Sequence, residues 1–159
     1  MARLNKPTKK RDYQPDPIYG NRILTRIINR VMKDGKKTVA QTQVYQALNI
    51  IKSKGHEPIK VLENAIQAVA PKIEVRPRRV GGASYQVPME VRGERKISLA
   101  IRWVIEAARK RSNKEFHTFA DKLSAELLDI VNNQGEAIRK RDLMRKMAES
   151  NRAFAHFRW

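Results

Sequence analysis

Apolar residues recur at helical spacing along most of the chain, and this pattern predicts six helices. In the first, an apolar stripe at i, i+3, i+4 and i+7 runs from Leu24 to Val31. The Asp16-Pro17 pair predicts the start of that helix. An aspartate side chain accepts hydrogen bonds from the unpaired amides of the first turn, and the missing N–H of proline costs nothing at the first helical position. The same spacing predicts the other helices at about 36–52, 58–70, 95–111, 114–131 and 136–151.

Between the third and fourth helices the apolar period changes from about 3.6 to 2, which is typical of β-strands. Ile73 and Val75 alternate with polar neighbours, and a second alternating segment follows. The Gly81-Gly82 pair between them predicts a turn, so the two segments form a hairpin at about 72–92. Its prolines are tolerated because both strands of a two-stranded ribbon are edges. The predicted fold class is therefore mainly α, with six helices and one two-stranded β-hairpin.

The charge composition indicates that this helical domain binds a polyanion. The 159 residues include 34 lysines and arginines against 16 acids, a formal net charge of +18. Such a charge opposes compaction unless a polyanion screens it, so we expect a nucleic acid or an anionic membrane surface as partner. A hydrophobic fraction of 41% suffices for a core. No apolar run reaches the roughly 20 residues of a transmembrane helix, and no signal peptide is recognisable, so we expect a soluble cytosolic protein.

The cations cluster in particular segments, which predicts a basic face and an acidic back. Residues 1–15 have no apolar periodicity and form a basic N-terminal arm that we expect to become ordered on its partner; an ordinary frayed terminus is the alternative. The cations of the arm are Arg3, Lys6, Lys9, Lys10 and Arg11. The segments 57–71 and 113–136 carry net negative charge, so the fifth helix should face away from nucleic acid.

Two predicted helices carry rows of cations on the side opposite the apolar stripe. The row on the first helix comprises Arg22, Arg26, Arg30 and Lys33, with no acid between its ends. The row on the fourth helix comprises Arg95, Arg102 and Arg109, at intervals of seven residues. Solvated faces usually mix both signs, so phosphate contact is the favoured interpretation and a solvated face the alternative. Trp103 lies outside the predicted apolar face, where it either caps the core edge, stacks on a base or packs against a protein.

Three further segments combine cations with features that suit contacts to a partner. Lys36 and Lys37 occupy the first turn of the second helix, where they and the unpaired amides are suited to bind a phosphate. The hairpin carries Arg76, Arg78, Arg79 and Tyr85, and the tyrosine either stacks on a base or packs across the strands. The C-terminal tail, 152–159, is rich in residues that a small core cannot fully bury, so we expect it to contact a partner. These residues are Phe154, His156, Phe157, Arg158 and Trp159.

Catalytic and metal-binding patterns are not found in the sequence. The absence of cysteine removes disulfides, thiolate nucleophiles and thiolate metal sites. The three histidines lie in separate segments without metal-ligand spacing. The Gly81-Gly82 turn lacks the Gly-Lys-Ser/Thr that completes a phosphate-binding loop. We therefore expect no enzymatic activity, no metal and no cofactor.

The hairpin carries a resemblance to a known family. The stretch Val75-Arg76-Pro77-Arg78-Arg79-Val80-Gly81-Gly82-Ala83-Ser84-Tyr85-Gln86-Val87-Pro88 resembles the signature of bacterial small-subunit ribosomal protein seven. Further matching stretches occur elsewhere in the chain: Asp34-Gly35-Lys36-Lys37, Ala100-Ile101-Arg102-Trp103, Glu106-Ala107-Ala108-Arg109 and the segment from Met147 to Trp159. The chain is thus similar to this family, in order, along nearly its whole length.

The resemblance implies a single six-helix domain, 16–151, with a protruding hairpin, in a protein of the cytoplasmic ribosome. Members of this family bind small-subunit rRNA directly and nucleate assembly of the subunit head through the three-prime major domain. The hairpin would lie at the subunit interface near the exit-site tRNA and the mRNA exit path. The C-terminal part would approach tRNA and neighbouring head and platform proteins, with no membrane contact and no homo-oligomer.

When the functional positions of the family are transferred residue by residue, the resemblance implies two groups of residues: rRNA contacts and residues of the interface hairpin. Arg26 occupies a position where a basic residue is common in the family. The other candidate rRNA contacts are Lys36, Lys37, Arg76, Arg78, Arg79, Arg95, Arg102 and Arg109. The candidate residues of the interface hairpin are Gly81, Gly82 and Tyr85.

Other classes of function remain as alternatives to a non-catalytic RNA scaffold. An architectural DNA-binding protein would also combine basic helices with a proline-containing ribbon, and it would bind duplex DNA and structured RNA alike. An RNA-processing enzyme would need acids or histidines clustered on the basic face. A membrane-surface role fits least, because the cations are spread over several elements without accompanying interfacial aromatics.

Overall fold

The computed structural model describes residues 13–157 and confirms the predicted mainly α fold with one β-hairpin. In chain order its elements are α1 (Arg22–Val31), α2 (Lys37–Ser53), α3 (Pro58–Val69), β1 (Ile73–Val80), β2 (Ala83–Glu90), α4 (Gly93–Lys110), α5 (Phe119–Val131), α6 (Glu136–Ser150) and a 3-10 helix (Arg152–Phe157). The cations predicted for the N-terminal arm, from Arg3 to Arg11, lie outside the described residues, and so do Arg158 and Trp159.

The apolar stripes predicted from the spacing form one continuous core. Helix α5 packs against α2, α3, α4 and α6 and buries Leu123, Leu127 and Ile130. Helix α1 packs against α2 and α4 and buries Leu24 and Ile28. Because each helix turns its apolar stripe inward, its polar side is left at the surface.

The first helix begins later than the sequence predicts. Asp16 accepts bonds from the amides of Ile18 and Tyr19, both at 3.2 Å, and thus caps a separate turn that precedes the helix. The cap of α1 is Asn21, whose side-chain oxygen accepts bonds from the amides of Ile23 and Leu24. The predicted start at Asp16-Pro17 is therefore wrong, because a second capping residue lies closer to the apolar stripe.

The fifth helix also begins later than predicted, at Phe119 and not at Lys114. Thr118 and Asp121 form a reciprocal capping box, in which the Asp121 amide donates to Thr118 Oγ1 and the Thr118 amide donates to Asp121 Oδ2, each at 3.1 Å. The Thr118 hydroxyl also donates to Asp121 Oδ2, at 2.7 Å, and this bond and the one from the Thr118 amide lower the pKa of Asp121. The two bonds of the capping box satisfy donors that a longer helix would use internally, so they fix the helix start.

Trp103 is a core residue. Its side chain is 4% exposed, so the prediction that it lies outside the apolar face is wrong. Helix α6 covers it, with the Nζ of Lys140 at 5.9 Å from the centre of the ring. The same ammonium forms an ion pair with Glu106 at 2.5 Å. Among the three roles considered for Trp103, the structure therefore supports packing at the core edge.

The hairpin is closed by the predicted glycine turn. Strands β1 and β2 are antiparallel, and Val80 pairs with Ala83 directly before the turn. Gly81 and Gly82 have φ angles of 57° and 89°. Residues with a side chain rarely adopt positive φ angles, but a two-residue hairpin turn of this kind requires them, so glycine is suited to both positions. Strand β1 packs against α6, and β2 packs against the 3-10 helix, which holds the ribbon against the helical body.

Burial at the base of the hairpin differs from the predicted alternation. Taken as whole residues, Ile73 is 39% exposed, whereas Glu74 is only 6% exposed. The prediction placed the two the other way round. Glu74 is held inside by ion pairs from Arg76 and Arg95 at 2.5 and 2.8 Å, because a buried carboxylate needs cations to compensate for lost hydration.

Candidate nucleic-acid interface

A basic groove lies between α1 and α4. It has a volume of about 530 Å³ and is lined by Arg30 and Arg102 together with Tyr13, Arg26, Asn29, Met32, Ser98 and Ile101. Both Arg30 and Arg102 are exposed. Within residues 13–157 neither makes an ion pair, so both guanidiniums present their donors to solvent. Guanidinium forks beside amide and hydroxyl groups are well suited to phosphate oxygens.

Arg26 has a structural role at the floor of this groove. Its Nη1 lies 2.5 Å from Glu94 Oε2, and its Nη2 donates to Ser98 Oγ at 2.8 Å. The side chain is only 13% exposed, and its guanidinium lies 5.5 Å from the centre of the Tyr13 ring. Arg26 therefore ties α1 to the start of α4 and has few donors left for RNA.

The arginine row on α4 divides into three different environments. Arg95 is paired with Glu74 at the base of the hairpin. Arg109 donates from Nη2 to the main-chain oxygen of Val31 at 3.0 Å, which satisfies a carbonyl at the C-terminal end of α1. Arg102 is the member of this row that is exposed and has no such partner in the described part of the chain.

The hairpin presents its cations unevenly. Arg76 and Arg79 are exposed, whereas Arg78 is partly buried. The ring of Tyr85 lies 5.1 Å from Phe154 and 5.3 Å from Phe157, centre to centre, so the 3-10 helix packs directly on it. Tyr85 therefore joins the hairpin to the tail through aromatic packing, which was the alternative to base stacking.

The beginning of α2 presents a smaller basic site beside the groove. Lys36 and Lys37 are both exposed, and the first turn of α2 contains no acid. The N-cap residue, Lys36, makes no side-chain bond to the helix amides. The positive end of the helix dipole and two ammonium groups thus lie together, as the sequence predicts for a phosphate contact.

An ion-pair cluster that sequence reasoning missed joins Arg111 to two acids of the negatively charged segment 113–136. Arg111 bonds Glu126 Oε2 at 2.8 Å and also pairs with Asp129. Burial lowers the pKa of Arg111, but the hydrogen bonds that it donates to Asp129 and Glu126 outweigh burial and raise the pKa above its ordinary value. Glu126 also accepts the amide of Ala137 at 3.1 Å. This cluster joins α5 to the start of α6 and uses its charges internally.

Across 13–157, no three histidine, cysteine, aspartate or glutamate side chains come together as a group that could hold a metal ion. Nor does any helix in this stretch have the length and hydrophobicity to cross a membrane.

The chain matches the family model of ribosomal protein S7p/S5e over residues 3–152. Small ribosomal subunit protein uS7 of Caldicellulosiruptor bescii is 53% identical over 154 residues, which cover 96% of this chain and 97% of that protein. The uS7 proteins of Beijerinckia indica and Xanthobacter autotrophicus are 56% and 52% identical, and the alignments cover 95% and 100% of this chain and 96% and 100% of those proteins. The chain belongs to the ribosomal protein S7p/S5e family and is, like its relatives, a structural and non-enzymatic component of the small ribosomal subunit.

Proposed function

We propose that this protein binds small-subunit rRNA directly, in the three-prime major domain, and thereby nucleates assembly of the subunit head. The observation that carries the proposal is the basic groove, to which α1 contributes Arg30 and α4 contributes Arg102. Phosphate contacts of this kind fix the position of a protein on folded RNA, which proteins recognise mostly by shape and backbone.

The groove is suited to this task because its walls are held at a fixed distance. Arg26 links α1 to the beginning of α4, and Arg109 links the end of α1 to the end of α4. These bonds fix α1 relative to α4, so Arg30 and Arg102 are presented on a preformed frame. A preformed site loses less conformational freedom on binding than a flexible one.

A second part of the proposal concerns the hairpin and the tail. We expect the exposed turn at Gly81-Gly82 and the neighbouring Arg79 to lie at the subunit interface, near the exit-site tRNA and the mRNA exit path. The 3-10 helix packs on Tyr85, which brings the tail to the same part of the molecule. The tail is accordingly expected to contact tRNA or neighbouring head and platform proteins.

The test is a salt titration of binding to a transcript of the three-prime major domain of small-subunit rRNA, with duplex DNA of equal length as competitor. Direct, specific recognition predicts steep salt dependence and a preference for the rRNA that persists at high salt. Equal binding to both nucleic acids, lost together as salt rises, would instead indicate a generic polyanion surface. That outcome would contradict the proposal and favour the architectural DNA-binding alternative.

A further inference from the structure

Glu74 is a buried acid at the base of the hairpin, and two arginines form ion pairs with it. It lies at the base of β1, and its side chain is 8% exposed. Two arginines from different elements converge on it: Arg76 from the same strand and Arg95 from the first turns of α4. A carboxylate at this position removes one unit of the positive charge that would attract RNA. Glu74 therefore cannot favour RNA binding through its own charge, as the neighbouring arginines can.

The contacts show how Glu74 holds the two guanidiniums. Arg76 bonds Oε1 through Nε and Nη2, both at 2.5 Å. Arg95 reaches Oε1 and Oε2 through Nε, both at 2.9 Å, and Oε2 through Nη2 at 2.8 Å. Both arginines thus bond the same oxygen, Oε1, so one carboxylate holds both guanidiniums. Each uses the same edge, Nε with Nη2, to hold the carboxylate.

The opposite edge of each guanidinium remains available. The side chains of Arg76 and Arg95 are 45% and 53% exposed, and Nη1 of either forms no bond to another residue in the described range 13–157. Burial by itself would raise the pKa of Glu74, but the bonds from Arg95 and Arg76 lower it below its ordinary value. The carboxylate thus stays ionised, and the three groups together carry one net positive charge.

We propose that Glu74 is a positioning residue for RNA: it holds Arg76 and Arg95 as a clamp whose outward edges together bind one backbone phosphate. A phosphate has oxygens enough to accept bonds from two guanidiniums, and two forks in fixed orientation give a geometry that mobile cations lack. Since one arginine comes from the hairpin and the other from the helical body, a phosphate bound here also contacts both parts of the fold. This clamp rests on the proposed rRNA binding and names one of the sites through which it occurs.

The clamp and a simple charge effect predict opposite results when the acid is neutralised. If only net charge matters, Glu74→Gln adds one positive charge and should strengthen binding to any polyanion. If Glu74 positions the arginines, the same substitution frees both side chains and weakens binding to the rRNA, even though the protein has become more basic.

The matched control is Glu90→Gln. Glu90 lies at the same end of the hairpin, opposite Ile73 in the register. Its side chain is 67% exposed, and its Oε2 lies 3.6 Å from Nη2 of Arg92. The substitution Glu90→Gln therefore changes the net charge by the same amount as Glu74→Gln and leaves the clamp in place. Both variants would be compared with the full-length protein in binding to the transcript of the three-prime major domain and to duplex DNA.

We expect Glu74→Gln to bind the transcript about tenfold more weakly than Glu90→Gln, a loss comparable to one charge-assisted hydrogen bond. Its binding to duplex DNA should not weaken, because non-specific attraction follows net charge. If Glu74→Gln binds the transcript as tightly as Glu90→Gln, the clamp is refuted. If the unmodified protein shows no preference for the transcript, the proposed rRNA recognition itself fails, so the two failures are distinguishable.

A second variant covers the case in which Glu74→Gln destabilises the fold, as judged by its melting temperature. Arg76→Lys with Arg95→Lys keeps every charge and still compensates the buried carboxylate, but replaces the planar forks by ammonium groups. The clamp predicts a similar loss of affinity for the transcript in this double variant, with the fold intact. Binding equal to that of the unmodified protein would overturn the proposal.

Discussion

Replacing Arg30 and Arg102 by alanine should weaken rRNA binding and leave the fold intact. Both side chains are exposed at the basic groove without an ion pair in the described residues, so the free energy of unfolding should change by no more than about 0.5 kcal/mol. If each guanidinium contacts one phosphate, their loss should cost about 1–3 kcal/mol of binding free energy in total, or roughly 5- to 150-fold in Kd.

The salt dependence of binding gives a second, independent measure of the same loss. Each phosphate contact contributes about 0.7–0.9 to the slope of log K against log salt, so the slope should become shallower by about 1.4–1.8. Binding would be followed by fluorescence anisotropy with a labelled transcript of the three-prime major domain over a series of salt concentrations.

A matched double variant separates position from charge. Arg139→Ala with Arg145→Ala removes two arginines from α6, where their side chains are 83% and 65% exposed and lie 3.8 Å from acids of the same helix. We expect a clearly smaller loss of affinity from this pair. Equal losses from both double variants would show that the groove has no special role and would refute the assignment.

Three further predictions concern the fold and its response to pH. Arg109→Ala removes the bond to the Val31 carbonyl and should lower the free energy of unfolding by about 1 kcal/mol in urea titration. Trp103→Ala empties a buried site and should cost about 3–5 kcal/mol in the same assay. Burial and the hydrogen bond to Asp16 raise the pKa of Tyr45 to about 12 from 10.0. Tyr45 therefore stabilises the fold below about pH 10, a contribution that is lost as the pH rises through about 12; absorbance titration against Tyr45→Phe checks the pKa.

Each of these has a result that would count against it. An Arg109→Ala protein as stable as the unmodified one would show that the bond to Val31 contributes nothing net. A loss below about 1 kcal/mol for Trp103→Ala would contradict its place in the core. If Tyr45→Phe removes an ordinary tyrosine transition and not a late one, the hydrogen bond to Asp16 is not maintained in solution.

The helices and the hairpin were predictable because their signals are local. The apolar stripe that ends at Val31 and the turn at Gly81-Gly82 depend on spacing and on backbone preferences of single residues. Helix starts were less predictable. Asp16 is a good capping residue in isolation, but Asn21 and not Asp16 caps α1, and only the folded chain distinguishes them. Thr118 fixes the start of α5 in the same way.

The burial of residues at the edge of an apolar face could also not be predicted from the sequence. Trp103 lies beside the arginine row of α4 by helical angle, yet α6 packs over it and makes it part of the core. Glu74 alternates as a surface residue, yet two arginines surround it. Helical or strand periodicity describes one element at a time, so it contains no information about which other element covers a given side.

The sequence by itself determined the mainly α fold, the hairpin, the excess of positive charge and the family, because each of these depends on local pattern or on an ordered series of motifs. It also placed arginines together on the outer sides of α1 and α4. Only the tertiary structure decided which groups each of them contacts. Arg26 and Arg109 bond groups of the other helix, whereas Arg30 and Arg102 line the groove and form no ion pair in the described residues. The reason is physical. Spacing along a helix fixes the direction of a side chain. The groups that bond an arginine, however, come from segments distant in sequence, and only the packing of the helices brings them within hydrogen-bonding distance.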